Sequence, residues 1–309
     1  MANLMKTLTI GGTAYEVCDA NARETLTNKA SYEDMNAVFK KAAPRNLLDN
    51  SDFRNPVNQR GATSYASSGY VIDRWKIPGA ITVDVLDSSV KLTCTSTSTA
   101  NGMSQYYEHP PTAGTKLTVA MMEANGTLHV GSATMPSSSY NVALTTTNGV
   151  KVRLVTDRMA IMVPVGESIE LKWVALYEGE YTAETIPEYQ PKGYGAELKE
   201  CQRYYIRIGA DGKNTPLGTV VGYTSTGAYL ALPGFHMRDT YTVQMVTDIS
   251  TLKYTRNTIN NGVSATGVAG YNAHTGGVIA LSINGSFSAG DSYTIWLVSG
   301  IIEISADLG

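Results

Sequence analysis

Short apolar runs, separated by turn dipeptides, recur along most of this chain and constrain its fold more than any other feature. ITVDV at 81–85, VKLTC at 90–94, VKVRLV at 150–155 and YTVQMV at 241–246 alternate apolar and polar residues. A period of two turns one side of a strand to a core and the other to solvent. Asn125-Gly126, Asn148-Gly149, Val165-Gly166-Glu167, Asp211-Gly212, Asn261-Gly262, Asn284-Gly285 and Gly290-Asp291 lie between such runs. These are turn-forming residues, and many short strands so spaced predict antiparallel sandwiches or jelly rolls. No repeat of 20–50 residues is present, which argues against a solenoid or propeller.

The pattern changes twice along the chain. Residues 1–44 read as a small unit: TLTI and TAYEV flank Gly11-Gly12 as a hairpin. Asp19 then reads as the N-cap of a short helix to Thr27. Ser31 and Asp34 fit a capping box for a second helix, with Met35, Val38, Phe39 and Ala42 as one apolar stripe before Pro44. So small a unit cannot bury that stripe alone; it needs another part of the chain or further copies of itself. Residues 45–192 read as one β-sandwich and 193–309 as a second. The connector AETIPEYQPKGYG, with Pro187 and Pro191, lies between them. AELKECQRYY at 196–205 reads as a short polar helix or turn, and the Gly/Asn-rich stretch 261–277 as a long loop. The fold class is therefore mainly β: a small N-terminal hairpin-plus-helix unit followed by two antiparallel, jelly-roll-like β-sandwich domains.

Composition narrows the function. The net charge of −3 gives no general field toward nucleic acid or an anionic membrane, and no apolar run reaches the length of a membrane span. Neither nucleic-acid binding nor membrane insertion is expected. Only 17% of residues are charged, while there are 19 Tyr against 4 Phe. Rings carrying a hydroxyl suit half-exposed strands and surfaces that meet polar partners. Cys18, Cys94 and Cys201 are far apart and show no metal-ligand spacing, which predicts reduced thiols made in a reducing cytoplasm. The start, MANLMKTLTIGGTAYEV, lacks the apolar core of a secretory signal.

Catalytic signatures are missing. There is no GxSxG elbow, GxGxxG loop or HExxH helix, and His109, His129, His236 and His274 stand apart from one another. Glu178, Glu180, Glu184 and Glu188 cluster on or beside the proline-containing connector and read as a solvated charge run rather than a hydrolytic pair. In ELKECQRYYIRIG, residues 197–209, Glu200 beside Cys201 disfavours a thiolate. No catalytic residue, metal or cofactor is expected.

Several stretches together carry a resemblance. RNLLDNSDFRNPVNQRG followed by YVIDRWKI resembles the opening of a β-sandwich module of tail fibre and receptor-binding proteins of tailed bacteriophages and prophages. ELKECQRYYIRIG resembles the junction that begins their C-terminal module, and YLALPGFHMRDTYTVQM with IEISADL resembles its strands and terminus. LTIGGTAYEVCDANARETL is similar to their attachment segment. The resemblance implies a non-enzymatic virion protein, a homotrimer, made in the host cytoplasm and released by lysis. Its N-terminus would bind other tail or baseplate proteins. Its C-terminal sandwich, as receptor-binding head, would meet a bacterial cell-surface polysaccharide or teichoic acid. The middle sandwich, like carbohydrate-binding modules in fold class, is a second candidate. Distal ligand contacts are expected from Tyr223, Tyr229, Tyr271, Asn272 and His274. Structural roles are expected for Asp73, Arg74 and Trp75, with Trp75 in a core, and for Arg203, Tyr204 and Tyr205, with Arg203 paired to a carboxylate or carbonyl. A purely structural tail component and a polysaccharide depolymerase are the alternatives.

Overall fold

The computed structural model describes residues 7–10, 13–16, 44–209, 213–256, 262–270 and 277–307. The chain divides into two units, 1–44 with 184–190, and 45–183 with 191–309. In the first unit, β1 (Thr7–Ile10) and β2 (Thr13–Glu16) pair antiparallel with Ile10 opposite Thr13, as the hairpin pattern predicts. The helices expected at 19–27 and 31–42 lie outside the described residues. None of the described helices is long and apolar enough to cross a membrane.

The second unit is built of antiparallel sheets. One six-stranded sheet runs, edge to edge, β10 (Leu128–Thr134), β9 (Lys116–Glu123), β14 (Ser168–Glu178), β7 (Val90–Cys94), β6 (Ile81–Val85) and β3 (Ser64–Tyr65). The other runs β11 (Tyr140–Thr145), β12 (Lys151–Val155), β13 (Arg158–Val163), β8 (Asn101–Tyr106), β5 (Trp75–Ile77) and β4 (Gly69–Tyr70). Inward residues of both sheets, among them Val83, Leu92, Val119 and Leu171 from the first and Trp75, Met103, Leu154 and Ile161 from the second, form one core. The chain passes back and forth between the sheets, so strands distant in sequence become neighbours. Burial of these side chains, each contributing about 1.5–3 kcal/mol, holds the two layers together.

Toward the C-terminus, α1 (Tyr194–Cys201) leads into three small sheets around a second core that includes Leu230, Tyr254, Ile279, Leu281, Ile295 and Ile304. They are β15 (Tyr205–Ile208), β24 (Ile302–Ser305) and β18 (Thr242–Met245); β16 (Asn214–Val221), β23 (Ser292–Val298), β19 (Leu252–Thr255) and β20 (Val263–Ser264); and β17 (Gly227–Met237), β22 (Gly277–Asn284) and β21 (Gly267–Gly270). The stretch expected as one long loop, 261–277, thus contains β20 and β21. Both are short and poor in β-branched or aromatic residues, and each is held by pairing to a stronger strand, β19 and β22. On β17 the ladder with β22 jumps from Leu232 to His236, so the extra residues form a bulge.

Charged and aromatic side chains join the two β-regions. Arg60 bridges Asp73, at 3.1 Å, and Asp307, at 2.8 Å, with its guanidinium 3.7 Å from the ring centroid of Tyr205. Arg74 lies over Tyr204 at 3.6 Å. Glu108 takes hydrogen bonds from Arg203, at 2.6 and 3.1 Å, and from the Tyr204 hydroxyl at 2.6 Å. Gln59 donates to the Tyr205 carbonyl at 2.7 Å. Burial opposes ionisation of Glu108, but the bonds from Tyr204 and Arg203 outweigh it and hold the carboxyl below its ordinary range.

A cationic, tyrosine-walled groove as candidate functional site

The register of the second six-stranded sheet explains a groove on its outward side. Lys76 pairs with Tyr70 on one side and Ser104 on the other; Ser104 pairs with Ala160, and Ala160 with Arg153. Residues paired in register point the same way. One row therefore crosses the sheet as Tyr70, Lys76, Ser104, Ala160 and Arg153. Its middle, Ser104 and Ala160, is small and is flanked by two long cations, Lys76 and Arg153. Lys76 and Arg153 sit three strand spacings apart, about 14 Å. A second row places Tyr106 opposite Arg158, and a third places Gly102 opposite Met162.

The result is a trough of about 380 Å³, walled by Lys76, Tyr106, Tyr140, Arg153 and Arg158, with Gly102, Ser104 and Ala160 along its bottom. Glycine is required at 102: a Cβ there would stand 1.8 Å from the carbonyl oxygen of Ile161. Alternation keeps Met103 and Gln105 inward on the same strand. Gln105 is buried because its amide and carbonyl satisfy the backbone of Asp49, at 2.6 and 2.8 Å.

Cations and rings are interleaved along the groove. The Lys76 ammonium lies 5.6 Å from the centroids of both Tyr70 and Tyr106. Arg158 stands 5.2 Å from Tyr106, and Arg153 4.3 Å from Tyr140, which is 45% exposed. Such stacking fixes the direction of otherwise flexible side chains. Arg158 is also held by both carboxylate oxygens of Asp157 at 2.9 Å. The Nε of Arg153 is buried without a hydrogen-bond partner.

Two other clefts lie where the β-regions meet. One, of about 300 Å³, is lined by Arg60, Tyr70, Tyr205, Thr242, Gln244, Glu303 and Ser305. The other, of about 180 Å³, includes Asp49, Arg74, Glu108 and Arg203. Their charged groups are largely spent on one another. Asp49, Glu197 and Glu200 form an acidic cluster whose oxygens lie within 4.8 Å of one another. The Lys192 ammonium already lies among them, 3.4 Å from Asp49, 3.9 Å from Glu197 and in contact with Glu200. The ammonium thus occupies the place a cation would take, and Arg74 also pairs with Asp49 at 3.2 Å.

The residues singled out from sequence fall as follows. Trp75 is fully buried, packs edge-on against Phe53 at 5.3 Å and donates to the Asn50 carbonyl at 2.8 Å. Asp73 and Arg74 are 1% and 2% exposed just before β5, and Tyr204 and Tyr205 are buried at the start of β15. Arg203 pairs with Glu108. Tyr223, 68% exposed, and Tyr229 come together with ring centroids 5.3 Å apart. Tyr271, Asn272 and His274 lie outside the described residues. Glu178, Glu180, Glu184 and Glu188 are all exposed. Sequence reasoning passed over the groove residues Lys76, Tyr106, Tyr140, Arg153 and Arg158. The signal was present in the alternation of VKVRLV, which turns Arg153 away from the core, but the partners across the sheet come from distant strands. No protein-family model, curated protein or solved structure matches this chain.

Proposed function

We propose that this chain is a non-enzymatic attachment protein of a tailed-phage virion that binds a bacterial surface glycan. The observation that carries this reading is the groove on the β11–β12–β13–β8–β5–β4 sheet. It offers tyrosine rings, fixed donors and an open trough on a rigid β scaffold, which is the equipment needed to hold a chain rich in hydroxyl and ring oxygens. The sparse charge and abundant tyrosine of the whole chain support the same reading. So does the resemblance of its several stretches, in order, to tail fibre proteins. In this account the N-terminal unit docks to tail or baseplate proteins and assembles a homotrimer, and the protein reaches the cell surface when the virion is released by lysis. Trimerisation would multiply a weak groove into firm adhesion.

The test is binding of the fluorescently labelled full chain to intact bacterial cells. The account expects saturable binding that is lost when surface glycans are stripped and reduced by Tyr106→Ala in the groove. Binding that survives glycan removal, or is indifferent to Tyr106→Ala, would overturn this reading.

A further inference from the structure

The charge of the groove goes beyond the bare proposal of a glycan. Among its lining residues are three cations, Lys76, Arg153 and Arg158, and no carboxylate. This is the reverse of the chain's overall balance of −3. Asp157 engages Arg158 at the margin, and Lys76 and Arg153 stand in one row on either side of the small residues Ser104 and Ala160.

The tyrosines sharpen the point. Neutral sugars stack on open ring faces. Here Tyr106 stands near Lys76 and Arg158, Tyr140 carries Arg153, and Tyr70 stands near Lys76. The rings act first as supports that hold cations in place. Arg153, which lines the groove, carries a charged, planar guanidinium matched to carboxylate or phosphate oxygens.

We infer that the groove selects an acidic saccharide, one whose carboxylate or phosphate is received by Arg153 and Lys76. This rests on the glycan reading above. The shared chemistry is an anionic group on a sugar or polyol chain; carboxylate and phosphate forms are separated by the experiment. A nucleic acid is disfavoured by the negative chain as a whole, which would repel a long polyanion outside the groove.

The experiment is calorimetric titration of the full chain with four probes: polygalacturonate, glycerol-phosphate teichoic acid, neutral dextran and a single-stranded oligothymidylate. It is run at about 50 and about 300 mM salt, where screening differs strongly. The expected result is binding of one or both anionic glycans, weakened several-fold by salt, with dextran at least about ten-fold weaker. Arg153→Gln is expected to weaken the anionic glycan about ten-fold or more. Lys76→Met, at a position that packs in no core, is expected to act in the same direction should the arginine variant fold poorly. Dextran binding as tightly as the anions and weakened by Tyr106→Ala would overturn acidic selectivity while leaving the groove a glycan site. Oligothymidylate binding as tightly as the glycans would overturn the saccharide class. Failure of all three saccharides would overturn both this inference and the function it rests on.

Discussion

The guanidinium of Arg74 lies over the ring of Tyr204, 3.6 Å from its centroid, and joins the start of β5 to the start of β15. The same guanidinium donates to the carbonyl of Tyr106 at 3.0 Å and to Asp49 at 3.2 Å. One buried side chain therefore fastens the C-terminal region to the first sandwich and braces the strand that carries a groove wall. Its backbone is strained to do so, with φ at 72°, a conformation that L side chains rarely adopt.

Removing that side chain should be costly. Arg74→Ala leaves the Tyr106 carbonyl and Asp49 short of a donor and should destabilise the protein by about 3 kcal/mol. Arg74→Gly loses the same contacts but tolerates positive φ, so it should be less damaging by about 1 kcal/mol. Denaturant midpoints of the two variants check the order. Equal losses would show that the backbone is not strained.

Acidity at the junction has a definite sign. Burial pushes the carboxyl of Asp73 up to about 6 from an ordinary 3.8, despite the bond from the Gln59 amide and the nearby Arg60. The folded state thus holds this proton more tightly than the unfolded chain does. Its contribution is full below about pH 4 and is lost as pH rises through about 6, an effect of roughly 2–3 kcal/mol. Burial raises Asp307 and Glu197 as well, which act in the same direction. Denaturation at a series of pH values should show stability falling between about pH 4 and 7, with a shallower fall in Asp73→Asn. Identical slopes in the two proteins would contradict this.

Glycines at two sites should respond oppositely to alanine. At Gly102 a Cβ would collide with the Ile161 carbonyl oxygen at 1.8 Å, so strands β8 and β13 must part. Gly102→Ala should cost more than about 3 kcal/mol or prevent folding. At Gly195, in α1, the added carbon meets no atom within 4 Å beyond its chain neighbours and the helix's own backbone, and the backbone is helical. Gly195→Ala should gain about 0.5–1 kcal/mol. Thermal unfolding of both variants tests the contrast.

Cys94 and Cys201 are buried and unbonded to each other, and burial pushes the Cys201 thiol far up. In a Cys18→Ser background, neither should react with an aromatic disulfide reagent in the folded protein, and both should react in denaturant. Rapid labelling of the native chain would contradict the burial of these thiols.

The sequence carried the strand-rich architecture well wherever inward positions were apolar, as in ITVDV and VKLTC. It failed at β8, where NGMSQY puts only Met103 among apolar inward residues and a hydrogen-bonded Gln105 in the next inward place. It failed at β11 for a related reason, since a bulge near Val142 and Leu144 breaks the period of two. Both strands line the groove, so the site was the least legible part of the fold. The run SYTIWLVSGIIEIS reads as one strand but splits at Ser299, whose φ is 55°, and Gly300, whose Cβ would crowd Thr251. Register across the sheet, which sets Lys76 and Arg153 in one row on either side of Ser104 and Ala160, depends on strand order and cannot be read from local pattern.

The most direct test of the central claim compares two double variants in binding to intact host cells. Tyr106→Ala with Arg153→Ala strips the groove; Tyr223→Ala with Tyr229→Ala strips the exposed tyrosine pair of the C-terminal region. The account predicts that the groove variant, folded as judged by circular dichroism, loses about ten-fold or more in affinity while the other binds as the parent does. Binding retained by the groove variant and lost by the tyrosine-pair variant would place recognition in the C-terminal region and contradict the account.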